Sequence, residues 1–431
     1  MKLIVEGSNL RGSVKIPASK SHTIRAVAIS SLAEGKSVIK YPLASADTMS
    51  AVETYRCLGV HIVTENDQWI VEGKGGKWEI PDNVIDVGNS GTTMCIALGS
   101  SALIEQGLIV MTGDYQIRRR PVGPLIGSLN NLGAKVVSTR NNDLPPIVIQ
   151  GKIRGGNTSI KAVSSQYLTS LLINTPLAEN NTDIDVPLLY EKPYVDMTVN
   201  WLKEHGIQLQ YDNEYKHVTI PGCQKYETVN KQIPGDFSSA TFFLSAGALP
   251  DNEVICQGLD INDTQGDKAV LQYLKQMGAD VTVEDDGGIK VSAKQLKGCD
   301  IDLNATPDAL PMMAVLACFA SGKTRLLNVP QARLKETDRI SVMREELSKL
   351  GAKIKELPDG LEIEESSMIP GNVDGHGDHR VVMALAIAGT MLPGTTIIDG
   401  YESVNITFPT FLDCLQKIGG NARILEDKNN Q

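Results

Sequence analysis

Leu132-Gly133-Ala134-Lys135-Val136-Val137-Ser138 reads as the end of a helix, a glycine where the chain turns, and the strand that comes after. A glycine just past a helix end takes the left-handed conformation that other residues avoid. The run after it has the composition of a strand. The same ending recurs as Leu58-Gly59-Val60, His205-Gly206-Ile207, Met277-Gly278-Ala279, Leu350-Gly351-Ala352 and Ile418-Gly419-Gly420. Successive glycines stand 68 to 74 residues apart, which marks a repeated unit. The plainer alternative is a doubly wound sheet whose glycine spacing is accidental.

The units also open alike. Lys20-Ser21, Ser90-Gly91, Ser164-Ser165, Ser238-Ser239, Pro307-Asp308 and Asp378-His379 each precede an apolar helical stretch. Ser, Asp and Gly suit helix starts, whose first turn has unpaired N–H groups. Each unit thus reads as helix, strand, helix, strand, with a further strand at the join. The polar stretch 224–232 is the natural boundary between two domains of three units each.

The chain has 431 residues, 42% hydrophobic and 21% charged, enough for two or three cored domains. Seven scattered cysteines without a Cys-x-x-Cys pair suit a reducing cytoplasm, not a disulfide framework or a thiolate zinc site. Met1 to Gly7 reads as a short strand, not a signal peptide. No apolar stretch reaches the ~18 residues a bilayer span needs. A formal charge of −10 argues against a general nucleic-acid binder. Anions can still bind where cations are locally concentrated.

Such clusters fall at the helix starts, whose free N–H groups attract anions. Lys20, Ser21 and Arg25 share one start, with Ser21 and Arg25 on one face. A capped helix with a solvated arginine is the bland reading. Gly88-Asn89-Ser90-Gly91-Thr92 is a glycine-containing strand-to-helix turn that a phosphate could approach. Arg118-Arg119-Arg120-Pro121 is either a solvated loop or an anion clamp. Ser164-Ser165-Gln166 offers three polar side chains where one cap would suffice. Lys335, Glu336 and Arg339 read as a helical face, or as a salt-bridged surface helix, and Arg380 again sits at a start.

Three look-alikes are set aside. Ser321-Gly322-Lys323-Thr324 ends like a P-loop, but position 317 is Ala and a strand comes next, so a hairpin turn is expected. His376, Asp378 and His379 lack the further ligands of a metal site, and no metal is expected. Glu284-Asp285-Asp286-Gly287-Gly288 is a turn.

In this order the segments Ser19-Lys20-Ser21…Arg25, Gly88-Asn89-Ser90-Gly91-Thr92, Arg120-Pro121, Ser164-Ser165-Gln166, Pro307-Asp308, Leu334-Lys335-Glu336-Thr337-Asp338-Arg339 and Gly377-Asp378-His379-Arg380 resemble the enolpyruvyl transferase family. They are nearest its branch that uses shikimate 3-phosphate. The resemblance covers essentially the whole chain. It implies a two-domain inside-out α/β barrel of six βαβαββ repeats, three per domain. Residues 1–16 with 235–431 would form one domain and 17–234 the other, with a hinge near 17 and 234 and closure on ligand.

The implied reaction joins an alcohol to phosphoenolpyruvate and expels phosphate, without metal or cofactor. The resemblance assigns Lys20, Ser21, Arg25, Ser164, Ser165, Gln166, Tyr194, Asp308 and Lys335 to shikimate 3-phosphate. It assigns Lys20, Gly91, Arg120, Gln166, Arg339 and Arg380 to phosphoenolpyruvate. Asp308, Lys335 and Glu336 would be the catalytic acids and bases. A cytoplasmic monomer is implied. The side chains should dominate affinity, because a charge-assisted hydrogen bond contributes ~1.5–3 kcal/mol and a helix terminus only ~0.3–1 kcal/mol. Arg339→Ala is therefore expected to weaken phosphoenolpyruvate binding and leave the fold intact.

Four positions depart from the family pattern. Glu191 stands where a phosphate-contacting serine is usual, Cys95 replaces an arginine, Gln331 an asparagine and Ile406 a lysine. A sister transferase with another alcohol acceptor, or an idle phospho-ligand binder, are the alternatives. The intact Asp308, Lys335 and Glu336 oppose the second. A UDP-N-acetylglucosamine enolpyruvyl transferase is disfavoured, because the segment 113–120 lacks a reactive cysteine.

Overall fold

The structure, a computed structural model, describes residues 1–425. The last residues of the expected 235–431 segment lie outside the described residues. The chain forms two compact units. One joins Met1–Pro17 to the chain from Pro234 onward, and the other is Ala18–Ile233. Each has its own apolar core.

The class is mixed α/β, built from small mixed sheets. Among the described residues each sheet has four strands, three sheets lie in each unit, and all six share one order and one set of orientations. In the Ala18–Ile233 unit, for example, Gly156–Ala162 runs parallel to Thr182–Leu189. That strand is antiparallel to His217–Ile220, which pairs antiparallel with Gln210–Tyr211. The other unit borrows its amino-terminal strands: Lys2–Glu6 lies between Thr395–Asp399 and Asn421–Leu425, and Arg11–Lys15 pairs with Glu253–Gln257.

Two kinds of helix alternate. Lys20–Leu32, Gly91–Ser101 and Ser165–Asn174 in one unit, and Phe237–Ala248, Leu310–Cys318 and His379–Thr390 in the other, are buried almost along their length. Apolar or small over most of their length beyond the polar first turns, they have no face to offer water. Ala46–Cys57, Gly123–Asn131, Lys192–Glu204, Val270–Gln276, Arg339–Lys349 and Phe411–Lys417 bury one face only. Each of these six is followed by one of the spaced glycines, with φ between 81° and 107°. Beyond each glycine, the next N–H returns to a carbonyl five residues back, as Ala134 does to Leu129 and Ala352 to Leu347. That bond closes a Schellman motif and satisfies a carbonyl the helix end would strand.

The buried helices start on side-chain caps: Ser19, Ser90, Ser164, Asp236 and Asp378 each accept from a first-turn N–H. Asp236, not Ser238, starts its helix, and it also accepts from the Ser239 hydroxyl (2.6 Å). Pro307–Ala309 is a 3₁₀ turn leading into Leu310–Cys318. In the same unit Phe243, Phe408 and Phe411 form a triad with centroids 5.4–5.8 Å apart. Each such contact adds ~0.5–1.5 kcal/mol beyond area burial.

Two local readings need correction. Ser321-Gly322 does not join a hairpin; it links the helix Leu310–Cys318 to the strand Lys323–Leu327, since the helix ends only three residues earlier. Residues 335–338 are not helical: a 3₁₀ turn ends at Leu334, and Asp338 caps a helix that begins at Arg339. Lys335 and Arg339 therefore share no helix face. The acidic run 284–288 is a turn, held by Glu284 N–H to Gly288 O (2.8 Å). No helix among the described residues is long and apolar enough to cross a membrane.

Candidate functional site

In the Ala18–Ile233 unit three buried helix starts carry the polar residues singled out above. Ser19 caps the first of these helices, and Arg25 lies one turn in, buried. Its guanidinium donates to Thr198 Oγ1 (2.9 Å), Tyr194 O (3.1 Å) and Ser21 O (3.1 Å). It thus ties its own helix to Lys192–Glu204. Burial pulls its pKa down to about 10, against an opposing contribution from Tyr194. Lys20 Nζ pairs with the buried Asp47 (3.1 Å).

Gly91, Arg120 and Gln166 converge. A Cβ on Gly91 would lie 2.7 Å from Arg120 Nη1 and 3.6 Å from Gln166 Oε1. A side chain at this position would push the guanidinium away from the helix start. Gln166 donates to Thr92 Oγ1 (3.0 Å), and the Cys95 thiol lies 3.6 Å from its Oε1. Ser164 caps Gln166 N–H (3.4 Å). Ser165 gives both its O–H (2.7 Å) and its N–H (3.2 Å) to Glu191 Oε2. Glu191 therefore points inward.

In the other unit Arg339 is the centre. Its guanidinium, 1% exposed, meets Asp308 Oδ1 (2.6 Å), Glu336 Oε2 (2.6 Å) and both oxygens of Asp378 (2.8 and 3.2 Å). Burial alone would lower its pKa; Asp378, Glu336 and Asp308 outweigh that and hold it well above the ordinary value. Asp308 is shared, because its Oδ2 meets Arg380 at 2.9 Å. Arg380 also donates to Ser238 O (3.4 Å). Arg339→Ala would take the common cation from three carboxylates, so it costs stability as well as binding. Lys335 lies half-buried in the turn before Arg339.

His376 turns to Glu346 (2.7 Å), while Asp378 is taken by Arg339, so the suspected His-Asp-His set does not form. Glu345, Glu346 and His376 do approach one another. Lys349 already pairs with Glu346 (2.7 Å) and Glu345 (3.5 Å), so the group is an ion-pair network. Gln331 is buried and donates to Asn304 O (2.9 Å); Ile406 ends a 3₁₀ turn.

Asp47, Thr198 and the inward turn of Glu191 are absent from the sequence reading. Thr198 could have been found, four residues after Tyr194 on one helix. Asp47 and Glu191 act across the fold and leave no local signal.

Residues 4–415 match the family model described as EPSP synthase (3-phosphoshikimate 1-carboxyvinyltransferase). The chain is 52% identical over 426 residues to 3-phosphoshikimate 1-carboxyvinyltransferase of Acetivibrio thermocellus, covering 99% of this chain and 100% of that one. It is 50% identical over 425 residues to the protein of that name from Ruminiclostridium cellulolyticum, with the same coverage. The EPSP synthase structure from Acinetobacter baumannii superposes with a TM-score of 0.83 at 27% identity, covering 99% and 100% of the two chains. Buried arginines around shared carboxylates, and polar helix starts, suit an enzyme that handles small anions. The chain belongs to the EPSP synthase family.

Proposed function

We propose that the protein transfers the enolpyruvyl group of phosphoenolpyruvate to the 5-hydroxyl of shikimate 3-phosphate and releases phosphate, a step in aromatic amino acid biosynthesis in the cytoplasm. The observation that carries this is Asp308, held between Arg339 and Arg380 with Glu336 in the same cluster. It supplies a base beside cations of the kind the donor's phosphate and carboxylate require. The two guanidiniums neutralise Asp308. Donor anions arriving there compete for those guanidiniums and leave the carboxylate able to take a proton.

Asp308 accepts the proton of the acceptor hydroxyl as its oxygen attacks C2 of the enol. Lys335 and Glu336 deliver a proton to C3, giving a tetrahedral ketal. Loss of a C3 proton and departure of phosphate then restore the double bond. Lys20, Ser21, Arg25, Ser164, Ser165 and Tyr194 hold the acceptor; Gly91, Arg120, Gln166, Arg339 and Arg380 hold the donor, with Lys20 between them. These anchors are drawn from both units. The fold reading that goes with this is an inside-out barrel of six βαβαββ repeats, three per domain. It is supported by the six sheets of one order and the six glycine-ended helices. Phosphate release measured with both substrates tests the function. Release that requires shikimate 3-phosphate, and is lost in Asp308→Asn, is expected; no release from the folded protein would refute it.

A further inference from the structure

Glu191 stands in the left-handed region, φ 58° and ψ 40°, and is 2% exposed. A residue with a side chain adopts that backbone at a free-energy cost and keeps it only where its surroundings impose it. Here the Glu191 carbonyl accepts from Tyr194 N–H (3.0 Å), and the carboxylate is drawn to Ser165. A serine has one O–H and one backbone N–H to donate. Ser165 gives both to the same Glu191 oxygen, at 2.7 and 3.2 Å. That N–H belongs to the first turn of Ser165–Asn174, where donors and macrodipole favour an anion. An anion from the chain itself therefore sits on Ser165, which the Proposed function gives to the acceptor, and it comes from the position where the family pattern has a phosphate-contacting serine.

We propose that Glu191 is a specificity-determining residue, a resident carboxylate that keeps the phosphate seat at Ser165 closed to free phosphate and yields it only to the phosphorylated acceptor. The proposal rests on the reading of Ser165 as an acceptor contact. An incoming phosphate gains Ser165's two donors only by displacing the Glu191 carboxylate. Inorganic phosphate has little besides this seat to offset that exchange. A phosphorylated alcohol adds its contacts with Lys20, Ser21, Arg25 and Tyr194. Since the reaction releases phosphate, a seat left open would be filled by product. The exchange makes and breaks no covalent bond.

Glu191→Gln keeps the side chain's shape and a carbonyl acceptor but removes the charge. Calorimetric titration with inorganic phosphate should give a dissociation constant at least tenfold lower for this variant than for the native protein, with phosphate competing against shikimate 3-phosphate. If Glu191→Gln does not fold, Glu191→Ser undergoes the same titration with the same expectation. An unchanged or weaker phosphate affinity overturns the proposal, even where the native protein turns over shikimate 3-phosphate. Tighter phosphate binding in the variant supports the resident carboxylate, even where shikimate 3-phosphate is not a substrate and the functional reading alone fails.

Discussion

Replacing Arg339 with methionine removes a guanidinium that four hydrogen bonds join to three carboxylates, and it keeps most of the side-chain volume. Asp378 is fully buried, and Glu336 and Asp308 are largely so. Removing one partner of a buried ion pair costs about 3–5 kcal/mol, because the remaining charge keeps its desolvation penalty. Arg380 still neutralises Asp308, so the loss should fall within that range and not at a multiple of it. Against a total stability of ~5–15 kcal/mol the variant remains folded in buffer but is much weaker. Urea unfolding followed by intrinsic fluorescence measures the loss. Adding Asp378→Asn removes one stranded charge while keeping an acceptor for Arg380 N–H, and it should recover part of the stability but none of the phosphoenolpyruvate binding. A loss below ~1 kcal/mol, or a double variant less stable than the single one, would refute the view of Arg339 as the shared counter-ion.

Arg25→Lys keeps the charge but loses the fork that reaches both Tyr194 O and Thr198, so the KM for shikimate 3-phosphate should rise about 10- to 100-fold in steady-state assays, with a smaller change for phosphoenolpyruvate. Asp236→Ala removes the cap of Phe237–Ala248 and should cost ~1–2 kcal/mol in thermal unfolding, with Asp236→Asn recovering most of it. Burial holds the His205 imidazole below its ordinary pKa, against the pull of Glu204. The unfolded chain then takes up a proton that the fold resists, so this contribution is intact above pH ~6.5 and lost as pH falls below it. His205→Phe, which can still stack on Trp201, should therefore show a smaller drop in Tm between pH 7 and 5.5 than the native protein; equal drops would exclude His205.

The six glycine-ended helices were legible because their signal is local: a positive φ, a returning N–H and a strand all fall within a few residues, as in Leu132 to Ser138. The mixed α/β class came from that spacing. Most helix starts were legible for the same reason, and Ser238 misled only because Asp236, a stronger acceptor, stands two residues ahead. The segment 335–338 looks helical in the sequence because its charges are favourably spaced, and that spacing does not reveal the break at Asp338, which caps the helix beginning at Arg339. The grouping of Asp308 and Asp378 on Arg339 joins two segments 70 residues apart, and Asp47 on Lys20 depends on packing between helices. No periodicity records either.

The strand Lys2–Glu6, held on one side by Thr395–Asp399 and on the other by Asn421–Leu425, bears on how the protein is made. Translation proceeds at about 5–20 residues per second, so the first strand leaves the ribosome tens of seconds before either neighbour exists. The unit Ala18–Ile233 is contiguous and can complete itself while the rest is still being synthesised. Its companion cannot, because the register that pairs Lys2 with Leu425 spans nearly the whole chain. This strand is made long before its neighbours yet is among the last to find its place, and until then it exposes two open edges to the crowded cell.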